Sequence, residues 1–208
     1  NDEQKTAYLP KVASGEWTAS FALTEPDAGS DPAGLKTRAV RDGDGWVISG
    51  SKRYITNAPV ADAFMVFART DPDAPATKGI SCFLVPSGTA GVTVGAKDKK
   101  MGQAGAWTAD VYLDDVRIGP ETLIGAEGTG YATAMACLAH GRLHIAALCV
   151  GLSHRLVDET VGFAAERVQG GKPIAQHQLI QALIADSQTD LMAARALVLE
   201  AARAYDSG

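Results

Sequence analysis

The chain has 208 residues, 46 % hydrophobic and 21 % charged, with a formal net charge of −5. This suits a globular protein of one large or two small domains, and the acidic balance argues against a broad basic surface for nucleic acid. No continuous run reaches the ~18 apolar residues of a bilayer span, so no membrane insertion is expected, and the polar opening NDEQKTAYLPK carries no targeting segment.

Asn1 to Ser14 is polar with Tyr8, Leu9 and Val12 on one side, and reads as a helix end running into a turn at Gly15. Its start is expected to lie before Asn1. From Trp17 the pattern changes to short segments rich in Val, Ile, Phe, Tyr and Trp. Strands are predicted at Thr18–Thr24, Thr37–Arg41, Trp46–Ser49, Arg53–Thr56, Phe64–Arg69, Ile80–Val85, Val92–Gly95 and Asp110–Leu113. Asp42-Gly43-Asp44-Gly45 supplies the positive-φ positions of a tight hairpin. Short strands with regular turns and no intervening helices predict an antiparallel β-barrel or sandwich. Gly125-Ala126-Glu127-Gly128-Thr129-Gly130 then forms a glycine-rich joint. Tyr131 to Arg167 is helix-compatible, and Gln169-Gly170-Gly171-Lys172-Pro173 breaks it. A second long helix is predicted from Gln176 to Tyr205, with Ile180, Ile184, Leu191, Ala194, Val198 and Ala201 on one face. Such a helix belongs in a bundle whose other members are expected beyond Gly208. The expected domains are therefore 1–16, the tail of a helical domain; 17–124, a β-domain; and 125–208, the start of a helical bundle. Cys82, Cys137 and Cys149 show no C-x-x-C spacing and lie in apolar segments, so buried thiols in a reducing compartment are expected.

Several stretches invite chemistry. In Ser20–Asp31, SFALTEPDAGSD, an apolar run ends at Pro26 in a loop with exposed amides and hydroxyls. Such a loop can hold a polar ligand through its main chain, or simply end a strand. In Arg53-Tyr54-Ile55-Thr56-Asn57, Tyr54 and Thr56 share one strand face, either a wall for a flat heterocycle or an ordinary cross-strand pair. Arg142 lies in an apolar helix, where it needs an anion or must reach out to solvent. Arg167, before a helix break, fits a pyrophosphate or a favourable last-turn cation. His177 and Gln178 open the last helix as a cap or as ligand contacts. His140 and His144 share a helix face without further ligands, so no metal site is expected. The Gly125–Gly130 glycines lack the strand and Lys-Ser/Thr of a phosphate loop, and no G-x-S-x-G elbow occurs.

Taken together, the motifs resemble the acyl-CoA dehydrogenase family. They occur in order as YLPKVASGEW (Tyr8–Trp17), FALTEPDAGSD (Phe21–Asp31), GWVISGSKRYITNA (Gly45–Ala58), MGQAGAWTADVYLDDVRI (Met101–Ile118), the glycine joint, and RVQGGKPIAQHQ (Arg167–Gln178). The resemblance implies an α+β, multi-domain protein: the family's middle β-domain, followed by helices of its four-helix C-terminal domain. It implies FAD as cofactor and dehydrogenation of an acyl-CoA to the trans-2-enoyl-CoA. Phe21, Leu23, Thr24 and Ser30 would form one flavin wall, and Tyr54, Ile55 and Thr56 the other. Ser30 and Arg142 would contact substrate, while Arg167, Gln169, His177 and Gln178 would reach FAD of a neighbouring subunit. A dimer or dimer of dimers follows, with an electron-transferring flavoprotein as acceptor.

The family pattern is not matched throughout. Tyr54 stands for the usual Trp, Ala139 for a common Asp, and Gly170 for a usual Phe. Gly141 occupies the position where one branch carries its base, so the general-base Glu is expected C-terminal to this segment. A cytoplasmic location, or the mitochondrial matrix in a eukaryote, is implied. Rival readings are an oxygen-using flavin oxidase or monooxygenase, and a non-catalytic scaffold relative.

Overall fold

A computed structural model describes residues 1–208. The chain divides into two compact units, Asn1–Met135 and Ala136–Gly208.

The first unit opens with α1, Asp2–Ser14. The Asn1 side chain accepts from the Gln4 amide while the Gln4 side chain accepts from the Asn1 amine, a reciprocal cap. Gly15, at φ 77°, ends the helix in a left-handed turn. Lys11 and Tyr8 pack on Trp17, the Lys11 ammonium 4.5 Å from the ring centre.

Eight strands follow: β1 Ala19–Ala22, β2 Arg38–Asp42, β3 Gly45–Thr56, β4 Ala63–Arg69, β5 Ile80–Pro86, β6 Val92–Val94, β7 Thr108–Ile118 and β8 Leu123–Ile124. They form one sheet in the order β6-β7-β3-β2-β4-β5-β8, with β1 paired to β4. The tight turn predicted at Asp42–Gly45 joins β2 to β3, with Gly43 at φ 64°.

Four strand expectations change. The sheet is mixed rather than antiparallel, because β4 pairs in parallel with β1 and, at Arg38–Arg69, with β2. About forty residues separate β1 from β4, ample chain for the crossover that parallel pairing needs. The strands predicted at Trp46–Ser49 and Arg53–Thr56 are one, β3. Irregularities between Ile48 and Gly50, and between Lys52 and Ile55, keep β3 paired to β7 along its length. β7 is correspondingly longer than predicted, and β8 has no counterpart among the predicted strands.

Inward positions of these strands build one apolar core, including Trp46, Ile48, Ile55, Phe64, Val66, Phe83, Val85, Val111 and Val116. Trp46 meets Phe83 edge to face with centroids 5.3 Å apart. Each such large side chain contributes roughly 1.5–3 kcal/mol relative to exposure.

α2, Gly130–Glu166, begins within the first unit. A side-chain carbon on Gly130 would lie 2.5 Å from the Ser81 backbone, and the Gly128 amide donates to Ser81 Oγ. The helix root is thus seated on β5, and the boundary between the compact units falls after Met135, within α2 rather than at the glycine joint.

In the second unit α2 continues to the small hairpin β9 Val168–Gln169 and β10 Lys172–Pro173, turned by Gly170 and Gly171 at φ 64° and 76°. α3 spans Gln178–Ser207. The two helices run antiparallel, with His140 beside Tyr205 at 5.5 Å between ring centres. In this unit only Ala164 and Leu191 are buried. Cys82 is buried as expected, but Cys137 and Cys149 on α2 are exposed, because the helix pair has no third element over that face. The absence of a continuous apolar run also understates α2. A window of it has mean hydropathy 1.5, long and apolar enough to cross a membrane by length and composition alone.

Candidate functional site

The stretch after β1 and the end of β3 lie side by side. The Arg53 amide donates to the Thr24 carbonyl at 2.8 Å, and Ser20 Oγ donates to the Thr56 carbonyl at 2.8 Å. Residues 20–24 therefore run antiparallel to residues 53–56, hooked at both ends. The structure brings together Phe21, Leu23 and Thr24 with Tyr54, Ile55 and Thr56 as one patch.

Their side chains divide. Leu23 and Ile55 are buried, Ile55 within the main core, so any ligand contact they make is through main chain. Phe21 is half-buried against Phe67, with ring centres 4.9 Å apart. Thr24 is half-buried, and Tyr54 and Thr56 are exposed. Tyr54 adopts φ 57°, a left-handed conformation that bulky residues rarely take. It sits where β3 slips in register between Lys52 and Ile55. The slip lets Lys52 and Ile55 both point inward although they are three positions apart, leaving Tyr54 and Thr56 outside. Arg53 lies 4.8 Å from the Tyr54 ring centre and pairs with Asp110 at 3.2 Å.

Beneath this patch is a pair that no motif announces. Lys52 Nζ, fully buried, donates to Glu25 Oε1 at 2.8 Å, the Phe67 carbonyl at 2.6 Å and the Leu23 carbonyl at 3.2 Å. Glu25 also accepts the amides of Lys36 at 2.6 Å and Thr37 at 3.0 Å. Burial pushes the Lys52 ammonium down to about 8, opposed by the Glu25 charge. For Glu25, burial acts to raise the pKa, but Lys52's charge and the hydrogen bonds from Lys52, Thr37 and Lys36 outweigh it and hold the carboxyl below its ordinary value. The sequence carries a signal for Lys52 alone, not for its partner. Trp46, Ile48, Gly50 and Lys52 alternate, so the strand period alone places Lys52 on the core face.

Glu25 and Ala28 exchange backbone hydrogen bonds that close the turn after Thr24, and Asp27 pairs with Lys36 at 2.9 Å. Ser30 lies exposed just beyond this turn.

The remaining candidates belong to the second unit. Arg142 lies on an exposed part of α2. Arg167 and Gln169 are exposed at the β9 hairpin, where the Arg167 carbonyl accepts from the Ile174 amide. His177 Nε2 lies 3.1 Å from the Gln169 carbonyl, so these two predicted contacts do come together; Gln178 is exposed beside them. No cluster of His, Cys, Asp or Glu could hold a metal ion.

Residues 20–116 match the model of the acyl-CoA dehydrogenase middle domain, and residues 128–208 that of the acyl-CoA dehydrogenase C-terminal domain. The chain belongs to the acyl-CoA dehydrogenase family. It is 42 % identical over 208 residues to an acyl-CoA dehydrogenase of Bacillus subtilis, covering 100 % of this chain and 55 % of that protein. It is 40 % identical over 206 residues to a subunit of the caffeyl-CoA reductase-Etf complex of Acetobacterium woodii, covering 99 % and 54 %. The crystal structure of an acyl-CoA dehydrogenase from Geobacillus kaustophilus superposes with a TM-score of 0.96 at 34 % identity, covering 100 % of this chain and 55 % of that one. The chain thus spans about half the length of the relatives it matches. Family membership bears out the β-domain followed by bundle helices, and it places α2 in a helical domain, which accounts for the apolar length of that helix. The family is one of FAD-dependent oxidoreductases.

Proposed function

We propose that the full-length protein dehydrogenates an acyl-CoA thioester to its trans-2-enoyl-CoA with FAD, and passes the electrons to an electron-transferring flavoprotein. The observation that carries this reading is the hooked apposition of residues 20–24 with residues 53–56. It exposes one aromatic ring and a hydroxyl beside the edge that carries Thr24.

The residues fit a flavin. A flat heterocycle needs an apolar or aromatic face and a few fixed polar groups along its rim. Tyr54 supplies the face, and the Thr24 and Thr56 hydroxyls supply polar groups that can donate or accept. Both threonine carbonyls are already engaged, with Arg53 and Ser20, which leaves the hydroxyls as the groups available to a ligand. FAD, when bound, takes up the hydride that leaves the substrate's β-carbon.

This chain's share is positioning and water exclusion. A dry wall strengthens hydrogen bonds to the thioester carbonyl and so stabilises charge as the α-proton departs. The base that takes that proton is a Glu C-terminal to Gly208. Ser30 and Arg142 serve the CoA arm of the substrate. Arg167, Gln169, His177 and Gln178 serve FAD held by a second subunit of a dimer or dimer of dimers. The relation to an Etf-complex subunit supports the choice of electron acceptor.

The test is anaerobic. Purified full-length protein is yellow and bleaches on addition of its acyl-CoA, and Thr56→Ala with Tyr54→Ala weakens both FAD retention and bleaching. Absence of bleaching with short, medium, branched and aromatic acyl-CoAs overturns the proposal. Fast reoxidation by air, with peroxide formed, assigns the oxidase reading instead.

A further inference from the structure

The buried pair beneath the patch does more than fill space. A charge pair inside an apolar region gains little stability over apolar side chains of the same volume, because desolvating both ions offsets their attraction. What it adds is direction. The three protons of the Lys52 ammonium match three acceptors on two other segments: Leu23 and Glu25 after β1, and Phe67 in β4. Glu25 extends the network to the entry of β2 through the Lys36 and Thr37 amides, and its own main chain closes the turn with Ala28. The residue after Lys52, Arg53, donates its amide to Thr24. Lys52 therefore sits where the strand bearing Tyr54 and Thr56, and the loop bearing Thr24 and Ser30, are tied directly to a common third strand, β4.

We infer that Lys52 and Glu25 are positioning residues that hold Thr24 and the loop to Asp31 in register with Tyr54–Thr56, so that both segments meet one cofactor edge together. The inference rests on the function proposed above. Neither residue touches the ligand; each acts through the main chain of Leu23, Thr24 and Arg53.

Two variants of the full-length protein test it. Lys52→Met/Glu25→Leu removes both charges and leaves none buried unpaired, so it folds. Glu25→Gln keeps the shape but loses the carboxylate that accepts from Lys52, Lys36 and Thr37. Amide exchange of a peptide spanning residues 21–31 reads loop order without FAD, and flavin fluorescence reads the FAD dissociation constant. In both variants exchange speeds up, and FAD binds about tenfold more weakly, the loss expected when one directional hydrogen bond is removed. The flavin midpoint potential shifts as well, which a merely stabilising role would not cause. Wild-type exchange and FAD affinity in both folded variants overturn the inference. Failure of both variants to fold assigns the pair to stability alone and also overturns it. If the wild-type protein binds no FAD, the proposed function fails, and the exchange measurement still decides whether the pair orders the loop.

Discussion

The two compact units bury their apolar residues very differently. In the β-unit Phe64, Val66, Phe67, Phe83 and Val85 have no exposed surface, and Trp46 retains 2 %. In the helical unit Leu179 is 82 % exposed, Leu183 64 % and Phe163 62 %. A sheet that curls over its own inner face completes a core within one stretch of chain. Two helices cannot, because each must find a neighbour for every side of its stripe. The first unit carries its stability internally, whereas the second presents faces that suit further helices of a bundle.

Substitutions sharpen that contrast, and the largest effects belong to the β-unit. Phe64→Ala is expected to destabilise a polypeptide of residues 1–208 by about 3–5 kcal/mol, read by urea unfolding of the sheet signal. Lys52→Met alone is expected to lose a similar amount, about 3–5 kcal/mol, because Glu25 is left buried without its partner; adding Glu25→Leu recovers most of it. Failure of that recovery would show that the charges themselves stabilise the unit.

The pH dependence is smaller and has a definite sign. Folded Glu25 lies below its ordinary 4.5, so the stability it contributes is complete above that value and is lost as pH falls through the folded pKa. Lys52 works in the other range. The folded chain gives up its proton near 8 and the unfolded chain near 10.5, so this group adds stability as pH rises between them. Unfolding midpoints of wild type and of Lys52→Met/Glu25→Leu should lie closest near neutral pH; the wild type should fall relative to the double variant in acid and gain on it above pH 8. The smallest effect is assigned to the helices: Leu183→Ala in residues 1–208 changes stability by at most about 0.5 kcal/mol, as for any exposed site. A larger loss would mean that the helix pair packs this leucine more tightly than its exposure indicates.

Much of the fold is legible in the sequence because local chemistry marks it. The Asp-Gly hairpin, the alternation in Phe64–Arg69 and Ile80–Val85, and the three-four spacing of Ile180, Ile184 and Leu191 each follow from one residue's relation to the next few. Strand direction is not legible, since β1 alternates identically whether its partner runs parallel or antiparallel. Nor is the continuity of β3, because the polar Gly50-Ser51-Lys52 resembles a loop until β7 is seen pairing along it. In the candidate site, strand period shows that Tyr54 and Thr56 share a face opposite Ile55, but not that this face is outward, because the slip between Lys52 and Ile55 reverses the alternation that runs from Trp46 to Lys52. The Lys52–Glu25 pair is not legible, since its members lie 27 positions apart and only the fold brings them together.

The left-handed Tyr54 sets two demands in opposition. The backbone at this point favours glycine or asparagine, and a bulky residue held there gives up about 1–2 kcal/mol. A library of this protein sorted for heat resistance alone would therefore drift from Tyr54 toward Gly or Asn and lose its ring, whereas, under the function proposed above, one sorted for retained yellow colour would keep the aromatic and accept a lower melting temperature.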